Sequence, residues 1–379
     1  MKEKVLHGSM IILVVFFVAL IVTVGNHAIP VANAQPKPIV WKGQSHCPAS
    51  NPIHICAVQA AKSIEVMSGG RLKWDLLPAG AIVPPFEMLD AVNKGVLDAI
   101  LSWPNYWVGK HPAFALFSVS VGGPFGLHGW SYLAWLLAGG GEDLYNELLQ
   151  KELKMNVVAM HTAYGVFPEA YGWCIKPITS LEDIKGVKFR TAGLNAELLR
   201  KLGGIPVVLS AGEILPAMER RVVEGVEWAT PFGDKTFGFH TVAKHFIAPS
   251  FHQPANVHEM IIGKKKWEEL PPDLRAIVKN AMRASIAECN TWHLIEDAKA
   301  LEELVTKHGV KVVRLSDEVL KAQLKAAQEV LQEYAAKNPF FARVLTHQRE
   351  FAEKIARLEA VGEPPWDMAY EFYFGIKRK

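Results

Sequence analysis

The sequence predicts an α/β protein of two similar lobes followed by a helical C-terminal region. Three observations carry this. Strand-like and helix-like segments alternate in two stretches of the chain, one helix–strand unit recurs, and the chain beyond Pro271-Pro272 is dominated by long amphipathic patterns. A length of 379 residues suits about two domains. Half of the residues are hydrophobic, enough for packed cores, which excludes global disorder. The formal net charge of +3 excludes the strongly basic footprint of a nucleic-acid-binding protein.

The first element is a leader, residues 1–34. Lys2 and Lys4 precede an apolar run from Met10 to Val24, and Ala32-Asn33-Ala34 supplies the small residues of a cleavage site. The run is shorter than the roughly 20 residues of a spanning helix, so export with cleavage after Ala34 is expected over an uncleaved anchor. The absence of a cysteine at the cleavage point argues against a lipoprotein. No later stretch is apolar over spanning length. An oxidising compartment permits disulfides, and Cys47 and Cys56 are candidate partners. Cys174 and Cys289 read as buried hydrophobes.

Strand Ile39–Ser45 comes next, then helix Asn51–Met67 with Ala57, Ala60, Ala61 and Ile64 on one face and Gly69-Gly70 as its stop. Strand Arg71–Leu77, helix Phe86–Asn93 and strand Val96–Ser102 complete a β-α-β-α-β succession, which implies a mostly parallel sheet. The grammar returns in strands Asn156–His161 and Gly186–Thr191, helix Asn195–Leu202, strand Ile205–Leu209 and helix Glu213–Arg221. Residues Glu87–Ile100 match Glu213–Val226 in residue class, each a helix with a basic end feeding a strand. The echo indicates two lobes with a ligand cleft between them. Helix Asp273–His308 ends at Gly309, strand Val310–Leu315 follows, and Ser316 opens a helix reaching Ala336. Asn338-Pro339 separates it from helix Phe340–Ala360. Helices this long and charged need a partner face, either the lobes or a second subunit.

Motifs of catalysis are absent: no Walker loop, GxGxxG, HExxH or GxSxG occurs. Gly139-Gly140-Gly141 lacks the lysine of a phosphate loop and reads as a turn. Lys264-Lys265-Lys266 reads as a solvated turn. His240 with His245, and His252 with His258, lack a third metal ligand at suitable spacing. A binding protein is therefore favoured over an enzyme. Arg190 ends a strand at the edge that faces the crevice of an α/β sheet, where a guanidinium grips a carboxylate. Glu227-Trp228 ends another strand; the carboxylate would repel an anion unless a cation bridges them, and Trp228 suits an aromatic wall. Glu169 is a second candidate cation ligand. Trp103 and Tyr106 belong to an aromatic loop suited to lining the pocket from the other lobe.

Ser180–Thr191, containing Lys188-Phe189-Arg190, together with Leu202–Val207 and Pro216–Glu219, resembles the signature of TRAP transporter solute-binding proteins, the DctP family. Ala79-Gly80 and Phe86–Val92 are similar to the matching part of the first lobe. Glu227-Trp228 and Asn338-Pro339-Phe340 resemble the subgroup that binds 2-oxo or 2-hydroxy monocarboxylates. The resemblance implies a two-lobed periplasmic binding protein fold with a long lobe-spanning helix and a helical C-terminal extension. It implies lobe I at 38–160 plus roughly 252–285, lobe II at 161–251 plus roughly 290–337, and a dimerisation extension at 338–379. It implies a periplasmic, non-enzymatic receptor that delivers a small carboxylate to TRAP membrane subunits, with Arg190 on the ligand carboxylate. Other carboxylate-binding proteins, serving another permease or a chemoreceptor, and a secreted hydrolase or lyase are the alternatives. Glu227, the Trp228 main chain and Glu169 match the ligand positions of a bridging Ca²⁺ or Na⁺. Glu169 replaces the subgroup's glutamine, and a second carboxylate favours Ca²⁺. The C-terminal helices resemble those that pair two subunits, so a homodimer is expected.

Overall fold

The computed structural model describes residues 37–121, 124–164 and 167–377, and the expected leader lies outside them. The described residues form two sheets. Their strands are β1 (Ile39–Ser45), β2 (Leu72–Leu77), β3 (Ala99–Ser102), β4 (Val157–Ala163), β5 (Gly172–Cys174), β6 (Lys188–Arg190), β7 (Ile205–Val207), β8 (Gly225–Val226), β9 (His245–Ile247), β10 (Val257–Gly263) and β11 (Lys311–Val313). The first sheet runs β2-β1-β3-β10-β4 and the second β7-β6-β8-β5-β9-β11.

The six-stranded second sheet repeats the arrangement of the five-stranded first and adds β11 at its edge. In the first, β1 is parallel to β2 and β3, and β10 then pairs antiparallel with β3. In the second, β6 is parallel to β7 and β8, and β5 pairs antiparallel with β8. The repeated segments end in β3 and β8, which hold equivalent places. The expectation of mostly parallel sheets is corrected, because both sheets are mixed. The antiparallel strands arise where the chain crosses between sheets: β4 leads into β5 of the other sheet, and β9 leads back into β10.

Helix α1 (Pro52–Met67) starts on an Asn51 cap whose side chain accepts from the Ile53 N–H at 3.0 Å, with Pro52 in the first turn. Its buried face, including Ala57, Ala60, Ala61 and Ile64, packs on the long helix α2 (Pro272–His308). Thirty-seven residues make α2 roughly 55 Å long. It packs on α1 and β4, then on the short helix Pro231–Phe237 beside the second sheet, so it spans both. Gly309, at φ 64°, ends it.

Helix α3 (Asp317–Lys337) is capped by Ser316, and α4 (Pro339–Gly362) by Asn338, whose side chain accepts from the Phe341 N–H. Phe340, Phe341, Val344 and Ala352 of α4 are buried, so the first half of the expected extension is part of the core. The last helix, α5 (Trp366–Phe374), has no buried residue.

Two expectations are corrected here. Cys56 is bonded to Cys289, not Cys47, while Cys47 and Cys174 are free and buried. Cys56 sits on the face of α1 that meets α2, a tertiary contact across 233 residues that local spacing does not reveal. Lys264-Lys265-Lys266 opens a short helix, Lys264–Glu268, in which Lys266 pairs with Asp98 at 3.2 Å. Gly139 and Gly140, by contrast, form the expected turn, with Gly140 at φ 91°, between helix Gly129–Leu137 and helix Gly141–Glu147, which Gly141 opens.

Candidate functional site

The C-terminal ends of β1, β3, β6 and β8 converge, as the crevice rule for parallel strands requires. They close a cavity of about 20 Å³. From the first sheet come His46, Trp103, Tyr106, Asn256 and His258, with Ile53 of α1; from the second come Arg190, Glu227 and Trp228. The volume is about that of one water, so a solute enters only if the two sheets separate. Larger depressions, of about 540 and 560 Å³, lie along residues 363–376 and between α3 and α4. They are open surface features lined without a buried charge.

Arg190 ends β6 and is only 1% exposed. Its Nη1 donates to the Glu227 carbonyl at 2.8 Å and to Glu227 Oε1 at 3.2 Å. Its Nε and Nη2 donate to the Leu209 carbonyl at 3.2 and 3.0 Å. Four bonds against five donors leave one N–H, so a bidentate grip on a carboxylate requires Glu227 to turn away. The guanidinium also lies 5.1 Å from the Trp228 ring centroid, a cation–π distance.

Glu169 precedes β5 on the strand-to-strand crossing, where its N–H donates to the Gln253 carbonyl of the return crossing at 2.9 Å. Neither of its buried carboxylate oxygens has a hydrogen-bond partner. Burial, then Glu227 and Asp234, hold its carboxyl well above the usual range. Burial also raises Glu227, against the pull of Arg190. Carboxylate oxygens of Glu169 and Glu227 and an imidazole nitrogen of His252 lie within 4.8 Å of one another. Glu169, a buried acid left without donors beside the buried Glu227, fits a cation, which would be held between them and supply the missing positive charge.

The aromatic loop after β3 is held from behind. Buried Glu259 of β10 accepts from Ser102 Oγ at 2.8 Å, Trp107 Nε1 at 2.6 Å and the Tyr145 hydroxyl. Trp107 thereby fixes Trp103 and Tyr106, whose Nε1 and hydroxyl are buried and unpartnered, as is Trp228 Nε1. Gly193, at φ 63°, lets the second lobe's turn approach Asn105, since a Cβ there would lie 2.5 Å from that side chain.

The structure thus brings Arg190, Glu227, Trp228, Trp103 and Tyr106 into one cavity, with Glu169 beside Glu227. Sequence reasoning missed His46, His258, Asn256 and His252. The His252–His258 reading is revised, because His252 meets carboxylates from two other segments and His258 lines the cavity. Burial lowers His46 to about 4 and His252 to about 3, so these imidazoles are neutral. Nothing in the local sequence separates them from core histidines.

Residues 43–338 match the family described as bacterial extracellular solute-binding protein, family 7 (DctP). A monocarboxylate 2-oxoacid-binding periplasmic protein of Nostoc sp. strain PCC 7120 is 30% identical over 324 residues, 85% of this chain and 86% of that protein. A TRAP transporter solute binding protein from Bordetella bronchiseptica RB50 is 28% identical, with TM-score 0.82 over 88% of this chain and 97% of that one. It is a mixed-occupancy dimer with copurified calcium and picolinate in its bound active site. A TRAP periplasmic solute binding protein from Pseudoalteromonas atlantica T6c, with bound sodium and pyruvate, is 27% identical, with TM-score 0.80 over 89% of this chain and 100% of that one.

Proposed function

The chain belongs to bacterial extracellular solute-binding protein family 7 (DctP), and on that premise we propose that it receives a small 2-oxo or 2-hydroxy monocarboxylate. Its fold is that of TRAP periplasmic solute binding proteins. The observation that carries the proposal is the buried Arg190 beside two buried carboxylates, faced across the cavity by Trp103 and Tyr106. A carboxylate supplies the charge Arg190 accepts when Glu227 turns to a cation. Glu169, Glu227 and the Trp228 main chain hold that cation, which bridges solute and protein as calcium or sodium accompanies the ligand in the relatives. Two carboxylates favour a doubly charged ion. Trp103, Tyr106 and Trp228 wall the solute and offer it their unpartnered polar hydrogens.

Lobe I is assigned to 38–160 plus roughly 252–285 and lobe II to 161–251 plus roughly 290–337, hinged at the two crossings beside Glu169 and His252. Closure is a hinge motion that the bridging solute favours by differential binding. The leader is cleaved after Ala34, and the periplasmic receptor, not itself an enzyme, passes its solute to TRAP membrane subunits. Among the described residues no helix is long and apolar enough to cross a membrane.

The test is thermal shift of the mature chain with pyruvate and lactate, with and without added divalent cation. Binding stabilises the folded state by about 2.7 kcal/mol at a hundredfold excess over Kd, and so raises Tm. Arg190→Ala is expected to abolish the shift. A full shift in that variant removes Arg190 from the site, and turnover of pyruvate by the purified protein rejects the receptor reading.

A further inference from the structure

We propose that His252 is a third side-chain ligand of the cation, making the site selective for a divalent ion that accepts imidazole nitrogen, such as Mn²⁺, over Ca²⁺. The inference rests on the solute-receptor reading and concerns the choice of ion in that same site.

Three observations support it. His252 Nε2 is buried, has no hydrogen-bond partner, and lies 3.7 Å from Glu169 Oε2. That separation is too long for a hydrogen bond and is of the order expected of two atoms sharing one ion. The ring is oriented from behind: Nδ1 meets Ser250 Oγ at 2.8 Å, and that hydroxyl reaches Gln323 Oε1 of α3 at 3.2 Å. Gln323 is itself buried and also accepts from the Phe251 N–H at 2.9 Å. Such outer partners fix the orientation of metal-binding imidazoles. Finally, Glu169, Glu227 and His252 come from three separated segments, and each is at most 4% exposed.

Ligand chemistry decides the ion. Ca²⁺ and Na⁺ gain little from nitrogen, and Ca²⁺ takes oxygen ligands. Imidazole suits first-row divalent ions, and one nitrogen with carboxylate oxygens is a set that Mn²⁺ or Zn²⁺ accepts. The neighbours that carry calcium or sodium do not fix the ion for this chain.

The experiment uses full mature protein stripped with chelator. Mn²⁺ and Ca²⁺ are titrated separately and in competition, and pulsed EPR of bound Mn²⁺ reads nitrogen coupling. The expected result is preference for Mn²⁺, a ¹⁴N coupling, and loss of both in His252→Ala. Mn²⁺ affinity should fall by at least about tenfold, since loss of even an outer-shell partner costs about 10- to 100-fold. His252→Gln, which restores an oxygen donor, is expected to recover Ca²⁺ binding without the ¹⁴N signal. His240→Ala controls for the half-buried His240–His308 pair, whose rings lie 4.5 Å apart, and should change nothing. Preference for Ca²⁺, absence of ¹⁴N coupling, or unchanged Mn²⁺ affinity in His252→Ala overturns the proposal. A pyruvate thermal shift supported by Ca²⁺ or Na⁺ alone would leave the receptor reading standing while this inference fails. Absence of any pyruvate shift with any cation would reject the reading itself.

Discussion

Asp234 stands behind the candidate site without touching the cavity, and its chemistry is set by burial. It is fully enclosed, with Oδ2 accepting from Trp173 Nε1 at 2.8 Å and Oδ1 from the Ala229 N–H at 3.0 Å. Those bonds fix the chain just after Glu227-Trp228. Desolvation outweighs them and pushes the carboxyl up to about 8, with Asp297 and Glu227 adding repulsion. A group whose folded pKa is raised contributes stability below its unfolded value and loses it as pH rises to the folded one. For Asp234 the window is about pH 4 to 8. Asp234→Asn loses one acceptor at every pH but removes the charge, so its Tm relative to wild type should climb steadily across that window. Parallel Tm profiles for the two chelator-treated proteins would contradict this account. Arg190 and Glu227 were legible because each ends a strand where an α/β sheet presents ligands. Asp234, His46 and His252 were not, because nothing but the surrounding fold distinguishes a buried polar side chain from an exposed one.

At the scale of elements, the disulfide ties α1 to α2 and so links the first strands of the chain to the helix that spans both sheets. Closing a loop with a sequence separation of 233 residues should stabilise the fold by about 2–4 kcal/mol. Cys56→Ser with Cys289→Ser is therefore expected to lower Tm by several degrees, and thiol titration of the unsubstituted protein in denaturant should find two thiols before reduction and four after. An unchanged Tm, with the thiols counted as expected, would show the bond to be energetically idle. The bond escaped sequence reading because Cys47 is the nearer partner along the chain. Elements of regular pattern were readable: β1 matches its expected span, and α1 begins within one residue of it. Three of the antiparallel strands, β5, β9 and β10, were not. β5 and β9 are three residues each, too short for a period, and β10 is buried along nearly its whole length with Glu259 inside it. A central strand with a satisfied carboxylate shows no alternation to read.

The whole molecule leaves one surface unexplained by its own packing. In α5 and just beyond, Trp366, Tyr370, Phe372, Tyr373, Phe374 and Ile376 are each at least half exposed, Phe372 at 80%, and Val361 precedes them at 89%. At about 150–250 Å² per aromatic, the ring surface alone is of the order of 500–800 Å². That approaches the roughly 800 Å² each partner gives to a standard interface, and lies at or above the upper end of the roughly 300–600 Å² apolar patch a soluble monomer commonly shows. A second copy of the chain, as the expected homodimer requires, would cover it. The location of the cut decides the test. Truncation after Asn338 would remove Phe340, Phe341 and Val344 from the core and unfold more than an interface. Truncation after Gly362 removes α5 while leaving the packed half of α4 intact. Full-length mature protein is expected to run as a dimer by light scattering at micromolar concentration. The shortened chain should run as a monomer with its pyruvate-dependent thermal shift preserved, because every residue lining the cavity lies before Asn338. A shortened chain that remains a dimer would move the interface off α5. Loss of the pyruvate shift in a folded monomer would mean instead that assembly completes the site.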